Sequence, residues 1–342
     1  DGVDNFWQDG DHIHGIWRHT ALSSYRKAQP DWETLLDLDA LSRTEGRNWI
    51  WKGADCLPPA RTRCLVNLSD GGSDAVEVRE FDTVQKAFVP GGFRFSAGKQ
   101  TLGWLDADTL VVARAWTPEE VTTSGYPYVV KRVTRIGTVQ EIFRGSKTDV
   151  SVSPRVLYDD SGKSVGIVLR RGVDFFRNEY SLTTGTKTVR ILLPLKAEFQ
   201  TFVKGRMIFT LKEAWNGFDA GSVVAWKLKD AGPRPELVFQ PGPRQAVETV
   251  ASTAGKLIIN LLEDVKGAVD AYDLVGGQWT ATRLPLPKNA TFQLRSLGET
   301  DDRIMISAEG FLDPPSLWLA DSAINTVVQI RALPPRFDAT RE

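Results

Sequence analysis

Short apolar runs, each broken by Gly, Asp, Asn or Pro, recur along the whole chain. Four typical runs are TLVVARAW, SVGIVLRR, GSVVAWKLK and KLIINLLED. Runs of this kind between turn residues predict β-strands. The spacing of apolar residues that is typical of an amphipathic helix is nearly absent. The pattern therefore predicts an all-β protein.

One segment, DWETLLDLDALSRTEG, has an ambiguous pattern. Its apolar residues Trp32, Leu35, Leu36 and Leu41 would form one stripe of a helix. We instead interpret WETLLDL as a strand that a short turn region follows, because the neighbouring segments are strands.

A repeated unit indicates the architecture. It consists of an apolar strand, a second strand with an aromatic residue beside Leu or Val, a turn, and a strand that ends at Pro. The closing residues Pro194, Pro241, Pro285 and Pro334 are roughly 45 residues apart, which is the period of a four-stranded propeller blade.

Counting these units predicts an all-β, seven-bladed β-propeller of four-stranded antiparallel blades around a central channel. No Pro-, Ser- or Gly-rich linker divides the chain, which argues against two tandem β-sandwiches. We expect a single domain over residues 1–342, with blades at about residues 3–41, 47–90, 99–145, 148–195, 197–241, 245–287 and 290–335.

Composition and charge narrow the classes of function. The chain has 342 residues and a formal net charge of -1. Near-zero charge without a dense Lys/Arg run argues against a nucleic-acid partner. We expect no membrane span, because no apolar run reaches about 18 residues. The chain starts at Asp1 without an initiator methionine or an apolar signal core, so we expect it to begin part-way into a longer or processed protein.

The chain has two cysteines, Cys56 and Cys64. Two thiols cannot staple a domain of this size, and a bridge requires matched Cβ geometry. We therefore expect two free thiols that flank a hairpin turn. The compartment stays open between cytoplasm and periplasm, with the cytoplasm slightly favoured.

One motif matches the nucleophile elbow of α/β-hydrolases, G-x-S-x-G, at Gly162-Lys163-Ser164-Val165-Gly166. That elbow requires a strand before the serine and a helix after it. Here a turn precedes Ser164 and the strand SVGIVLRR follows it. All three histidines also precede the serine, whereas the hydrolase order places the histidine after it. We therefore expect Ser164 not to be a nucleophile.

The histidines His12, His14 and His19 raise the question of a metal site. His12 and His14 alternate to one side of a predicted strand, and Asp9 and Asp11 precede them. Zinc sites require three or four converging ligands, and no further Cys/His pattern occurs. We favour a polar hairpin at a blade edge and expect no metal. Phosphate-binding glycine motifs are also missing, so we expect no cofactor.

Several segments of the chain are similar to those of a known family. The opening segment, NFWQDGDHIHGIWRHTALSSYRKAQPDWETLLDLDALS, resembles the first propeller blade of the prolyl oligopeptidase family of serine peptidases. Further similar segments are NWIWKGADCLPP, LSDGGSDAVEVREFD, FVPGGF, SGYPYVVKR and GFLDPPSLWLAD. The closing LPPRFDA resembles the segment that leads out of the propeller. The resemblance covers essentially the whole chain.

The resemblance implies a non-catalytic propeller that covers the active site of an α/β-hydrolase domain in the same parent protein. In the family, that domain carries the catalytic serine, aspartate and histidine, and the propeller restricts access to short peptides. The resemblance implies that this chain ends before such a domain begins. We therefore expect no catalytic residue here, and an inactive chain when it is alone.

The resemblance also places four residues at a substrate cavity. Arg170 lies where the family has an arginine that faces this cavity. Val173 replaces a family Cys, Lys99 a family Phe, and Ser153 a family Met. Because of these departures, the resemblance does not fix which peptide side chains are preferred. For Arg170 the alternative is an ordinary solvated or ion-paired arginine at a strand edge.

Two functions therefore compete. One is a gating domain of an oligopeptidase, whose partners are the hydrolase domain and short peptides. The other is an independent propeller that acts as a protein-interaction scaffold. The start at Asp1 and the end near a family junction favour the first. A propeller enzyme would require clustered histidines or carboxylates on inner strands, and the sequence shows no such cluster.

Overall fold

β-Strands joined by tight turns make up nearly all of the protein. The structure, a computed structural model, describes residues 2–228, 235–298 and 300–334. These residues fall into two compact units, one within residues 1–157 and 162–190 and the other within residues 158–161 and 191–342. Within the described ranges there are seven sheets.

The first unit holds four sheets, and strands that follow one another in the chain are mostly hydrogen-bonded neighbours. Its strands are, for the first sheet, β1 (Gly2–Trp7), β2 (Ile16–Ala21) and β3 (Glu33–Asp37); for the second, β4 (Trp49–Cys56), β5 (Arg63–Asp70), β6 (Val76–Asp82), β7 (Ala87–Phe88) and β8 (Arg94–Gly98); for the third, β9 (Thr101–Asp106), β10 (Thr109–Ala113), β11 (Val129–Thr134) and β12 (Val139–Arg144); and for the fourth, β13 (Ser151–Tyr158), β14 (Ser164–Gly172), β15 (Asn178–Thr184) and β16 (Lys187–Ile191).

The second unit holds three sheets of the same kind. Its strands are, for the fifth sheet, β17 (Ala197–Val203), β18 (Arg206–Leu211), β19 (Val223–Lys227) and β20 (Glu236–Phe239); for the sixth, β21 (Gln245–Ser252), β22 (Leu257–Glu263), β23 (Lys266–Val275) and β24 (Gln278–Arg283); and for the seventh, β25 (Ala290–Leu297), β26 (Arg303–Gly310), β27 (Ser316–Asp321) and β28 (Thr326–Ala332).

The seven sheets confirm the prediction of an all-β, seven-bladed propeller with antiparallel blades. Five sheets have the expected four strands, whereas the described part of the first has three and the second has five, because β8 pairs with β6. The end of the last predicted blade, residue 335, lies outside the described residues, as does most of the closing LPPRFDA segment.

Two short helices lie in the first unit, α1 (Leu22–Tyr25) and α2 (Leu38–Glu45). The strand predicted in WETLLDL is confirmed by β3, but the turn region expected after it is wrong, since α2 occupies it. The side chain of Asp37 accepts a hydrogen bond from the Ala40 amide at 2.9 Å, which caps the start of α2. Gly46, with a φ of 63°, ends the helix in the left-handed conformation.

Apolar cores lie between successive sheets of each unit. In the first unit, buried Val111 and Val129 of the third sheet pack with Leu169 of the fourth. In the second unit, buried Ile208 of the fifth sheet packs with Ile259 of the sixth. A blade with two apolar faces must cover both of them, so stacking against neighbouring blades supplies most of its hydrophobic stabilisation.

Ion pairs add a polar connection between the second and third sheets. The buried carboxylate of Glu80 accepts hydrogen bonds from Arg135 at 2.8 Å, from Arg63 at 3.1 Å and from the Phe93 amide at 2.9 Å. Burial alone would raise the pKa of Glu80, but the bonds from Arg135 and from the Phe93 amide outweigh it and lower that pKa.

The expectation of two free thiols is wrong. Cys56 on β4 lies directly opposite Cys64 on β5, with their Cα atoms 3.9 Å apart, and the two sulfur atoms form a disulfide. Directly opposed residues of an antiparallel pair bring their Cβ atoms close together. The register of the hairpin therefore decides the pairing, and the spacing of the cysteines does not reveal it.

Reduction of this disulfide is expected to lower the free energy of unfolding by about 2–3 kcal/mol, because the bridge restricts a short loop of the unfolded chain. Urea unfolding of the oxidised and the reduced protein measures the difference. The double variant Cys56→Ala/Cys64→Ala is the control, since reductant should not change its unfolding. Free thiols at both positions in the protein purified without reductant would contradict the pairing.

Candidate functional site

Arg170 lies near the end of β14, and its guanidinium is held by uncharged groups only. It donates to Ser153 Oγ at 3.3 Å, to Ser151 Oγ at 3.2 Å and to Asn178 Oδ1 at 3.1 Å. No carboxylate of the described residues forms an ion pair with it. The half-buried cation is thus oriented by neighbouring oxygens while its charge stays uncompensated.

Arg171, the next residue, has the opposite arrangement. It forms ion pairs with Asp149 at 2.8 Å and with Glu179 at 3.0 Å. The hydrogen bond to the Asp149 carboxylate raises the pKa of Arg171 further above its usual value, because it stabilises the charged form. Successive side chains of a strand point to opposite faces, so adjacent arginines meet different partners.

The hairpin between β14 and β15 sets the position of Arg170. Arg170 pairs with Tyr180 and Gly172 with Asn178 across the two strands, which places the Asn178 amide beside the guanidinium. The amide of Val173 then donates to the Arg177 carbonyl at 2.9 Å and closes the turn. Val173 therefore lies at the hairpin that follows Arg170.

Lys99 lies apart from this hairpin, directly after β8. Its ammonium group is 4.0 Å from the ring centroid of Tyr126 and 3.8 Å from Asp74 Oδ2. The loop that carries Tyr126 reaches the fourth sheet, because Thr122 Oγ1 donates to the Val150 carbonyl at 3.1 Å.

The structure thus brings two of the four predicted cavity residues, Arg170 and Ser153, into contact. Val173 lies on the adjoining hairpin, and Lys99 belongs to a separate cation–aromatic pair. Sequence reasoning missed Ser151 and Asn178. Ser151 could have been found from the sequence, because it lies two positions before Ser153 on β13 and residues two apart in a strand share a face. The position of Asn178 depends on the hairpin register.

Ser164 begins β14 and follows a turn at Gly162, whose φ is 78°. The strand predicted after Ser164 is confirmed, and the strand–turn–helix setting of a nucleophile elbow is not formed. In residues 2–228, 235–298 and 300–334, no serine hydroxyl is hydrogen-bonded to a histidine. The described part of the chain therefore contains no activated nucleophile of the serine–histidine type.

The strand predicted at His12 and His14 is wrong, because both residues lie in the loop between β1 and β2. The favoured interpretation, a polar hairpin at a blade edge, is confirmed, since β1 and β2 are antiparallel neighbours and β1 is an end strand of the described first sheet. The Nδ1 atoms contact three different partners: Asp9 Oδ1 at 2.9 Å from His12, the Trp49 carbonyl at 3.0 Å from His14, and Asp4 Oδ1 at 2.7 Å from His19. Among the described residues, no three His, Cys, Asp or Glu side chains converge as metal ligands would.

The family model described as "Prolyl oligopeptidase, N-terminal beta-propeller domain" matches residues 2–332. The chain belongs to the prolyl oligopeptidase propeller family. The resemblance found in the sequence is thereby confirmed. Neither α1 nor α2, the two helices in the described part of the chain, is long and apolar enough to cross a membrane.

Individual relatives are similar over the same range. The uncharacterized peptidase y4nA of Sinorhizobium fredii is 42% identical over 98% of this chain and 49% of its own length. The uncharacterized peptidase RP174 of Rickettsia prowazekii is 29% identical over 93% of this chain and 48% of its own length. A post-proline cleaving enzyme from Rickettsia typhi superposes with a TM-score of 0.90 at 27% identity, over 98% of this chain and 52% of that chain. The propeller spans about half the length of these relatives.

Asp9→Asn is expected to lower the pKa of His12. In the propeller the hydrogen bond to the Asp9 carboxylate raises this pKa above its usual value of about 6.5. Because the folded-state pKa is the higher one, the pair stabilises the fold fully below about pH 6.5 and loses this effect as pH rises through the folded-state pKa. A histidine-ring NMR titration measures the change.

The matched control for that titration is Asp11→Asn. Asp11 acts on His12 through charge alone, whereas Asp9 also accepts its hydrogen bond. We expect the smaller change for Asp11→Asn. Equal changes in the two variants would contradict the hydrogen-bond origin of the raised pKa.

Proposed function

We propose that this propeller controls the access of short peptides to the active site of a serine endopeptidase. The active site would belong to an α/β-hydrolase domain of the same parent protein, which is the principal partner. Two findings support the proposal: the family of the chain, and the half of each relative that it leaves uncovered.

We infer the contact with the peptide from the uncompensated charge of Arg170. Its three hydrogen-bond acceptors are a carboxamide and two hydroxyls, none of which neutralises a guanidinium. An arginine held in this way presents a fixed cation that suits a carboxylate or a carbonyl of an incoming peptide. Arg171 cannot serve in this way, because Asp149 and Glu179 already neutralise it.

The other cavity residues define a polar setting. We propose that Ser153 both orients Arg170 and lines the substrate cavity, and that Val173 lines it on the adjoining hairpin. Lys99 would contribute a second cation, although Asp74 at 3.8 Å partly offsets its charge. A cavity of this composition favours peptides with acidic groups, since Lys99 and Ser153 replace apolar family residues by a cationic and a polar side chain.

One observation favours the alternative, a propeller that binds a separate protein. Phe175 and Phe176, at the tip of the β14–β15 hairpin, are 87% and 78% exposed. Exposed aromatic side chains are enriched at protein interfaces. In our main proposal these rings would contact the hydrolase domain, and in the alternative a different protein.

Arg170→Ala in the full-length parent enzyme is expected to lower kcat/KM for acidic peptides by about 5- to 150-fold, because a charge-assisted contact of roughly 1–3 kcal/mol is lost. Neutral peptides should lose less. The matched variant Arg171→Ala should lower Tm instead, since it leaves the buried Asp149 carboxylate without its partner. Peptide kinetics and thermal unfolding of both variants separate the two effects.

Two outcomes would contradict the role of Arg170. Unchanged kcat/KM for every peptide would make it an ordinary strand-edge arginine. Equal losses for acidic and neutral peptides, together with a lowered Tm, would make its role structural.

The chain alone is expected not to hydrolyse proline-containing peptides or esters, because Ser164 has no histidine partner and begins a strand. Ser164→Ala should therefore leave the background rate unchanged. A chromogenic ester assay of the purified chain and of this variant measures both rates. Hydrolysis that disappears on the substitution would overturn the assignment of the chain as non-catalytic.

A further inference from the structure

A cavity of about 290 Å³ lies between the third and fourth sheets. Its walls include Leu105 and Asp106 of β9, Arg132 of β11, and Ser164 and Ile167 of β14. This volume is near the lower end of the range for small-molecule sites.

The cavity is separate from the candidate peptide contact. Ser164 lies at the beginning of β14, whereas Arg170 lies six positions further on, or about 20 Å away at the usual rise of a strand. A ligand in the cavity would therefore not occupy the place proposed for the peptide.

Close packing of the two sheets positions Arg132. Arg132 pairs with Val111, and Val111 with Gly103, so the three share one face of the third sheet. That face meets the fourth sheet, since a Cβ added at Gly103 would lie 2.9 Å from Val156 Cγ2. A side chain at Gly103 would push the sheets apart, and the glycine therefore keeps Arg132 enclosed between them.

The guanidinium of Arg132 is only partly satisfied. It donates to the Gly185 carbonyl at 3.1 Å, but its Nε–H group is buried without an acceptor among the described residues. Arg132 has no carboxylate partner within the described ranges. Buried donors nearly always have a partner, so the unpaired N–H group marks a place for a ligand oxygen.

One other charged group lines the same cavity. Asp106 accepts from the Asp108 amide through Oδ1 at 2.8 Å, and its Oδ2 atom has no partner in the described part of the chain. Leu105 and Ile167 supply an apolar wall. The cavity thus combines a cation, a carboxylate and a small apolar surface.

We propose that this cavity binds a small zwitterion, an α-amino acid or a dipeptide. Its carboxylate would accept hydrogen bonds from the Arg132 guanidinium, including the buried Nε–H, its ammonium group would face Asp106, and its side chain would contact Leu105 and Ile167. Charge-assisted hydrogen bonds of this kind are the strong ones. The site does not depend on the peptide-gating role proposed above.

Ligand titrations of the purified 342-residue chain, observed by methyl NMR at Ile167 and Leu105, test the proposal. The probes are L-alanine, glycylalanine, propionate and ethylamine. We expect L-alanine or glycylalanine to shift these methyl signals with the highest affinity, propionate with a lower affinity, and ethylamine not to shift them. The relative affinities of the first two probes distinguish a free amino acid from a dipeptide.

Variants assign the binding groups. Arg132→Gln should raise Kd for the preferred zwitterion about 10-fold or more, because the charge-assisted bonds are lost. Asp106→Asn keeps the Oδ1 acceptor for the Asp108 amide, and it should abolish the preference for that zwitterion over propionate. The control is Arg295→Gln, since exposed Arg295 donates to Ser307 within the seventh sheet and does not line the cavity, so this change should not affect binding.

Three outcomes would overturn the proposal. The first is the absence of any shift with either zwitterion. The second is unchanged affinity in Arg132→Gln, with Tm measured to show that the variant is folded. The third is equal affinity for propionate and the zwitterions in the unaltered protein, which would remove the role of Asp106.

Discussion

No blade of this propeller can cover its own faces, and that constraint governs the remainder of the structure. Each sheet presents apolar side chains on both sides, so the cores form between sheets, as Val111 and Leu169 show. Most mid-strand side chains therefore pack in these cores. Polar side chains that can bind a ligand lie near the strand ends and in the hairpins. Ser164 and Arg170, for example, lie near opposite ends of β14.

Charged side chains that are buried between sheets must be paired, because the sheets exclude water from them. Glu80 is buried and requires Arg135 and Arg63 to offset the cost of removing its charge from water. Arg79 similarly joins Glu45 of α2 to Glu77 of β6. Such pairs orient neighbouring elements, and removal of one partner would leave a buried charge. Arg170 and Arg132 depart from this pattern, and that departure is what distinguishes them.

The fold was readable from the sequence because apolar runs and closing prolines such as Pro194 and Pro241 repeat at one period. The helix α2, the disulfide and the surroundings of the two arginines were harder to predict from the sequence. Asp37 and Gly46 bracket α2 with ordinary capping signals, but strand-like neighbours outweighed them in our interpretation. The Cys56–Cys64 bridge depends on cross-strand register. Arg170 was found only through family resemblance, and the surroundings of Arg132 require two sheets to be in place.

The alternation along β14 has a consequence for how this segment tolerates change in evolution. A substitution at one position of the strand, such as Arg170, changes one side chain and leaves the register of the others unchanged. An inserted or deleted residue upstream would instead rotate every later side chain to the opposite face or force a bulge. Arg171 would then lose Asp149, and Leu169 would leave its core. The strand thus accommodates point substitutions far better than changes of length.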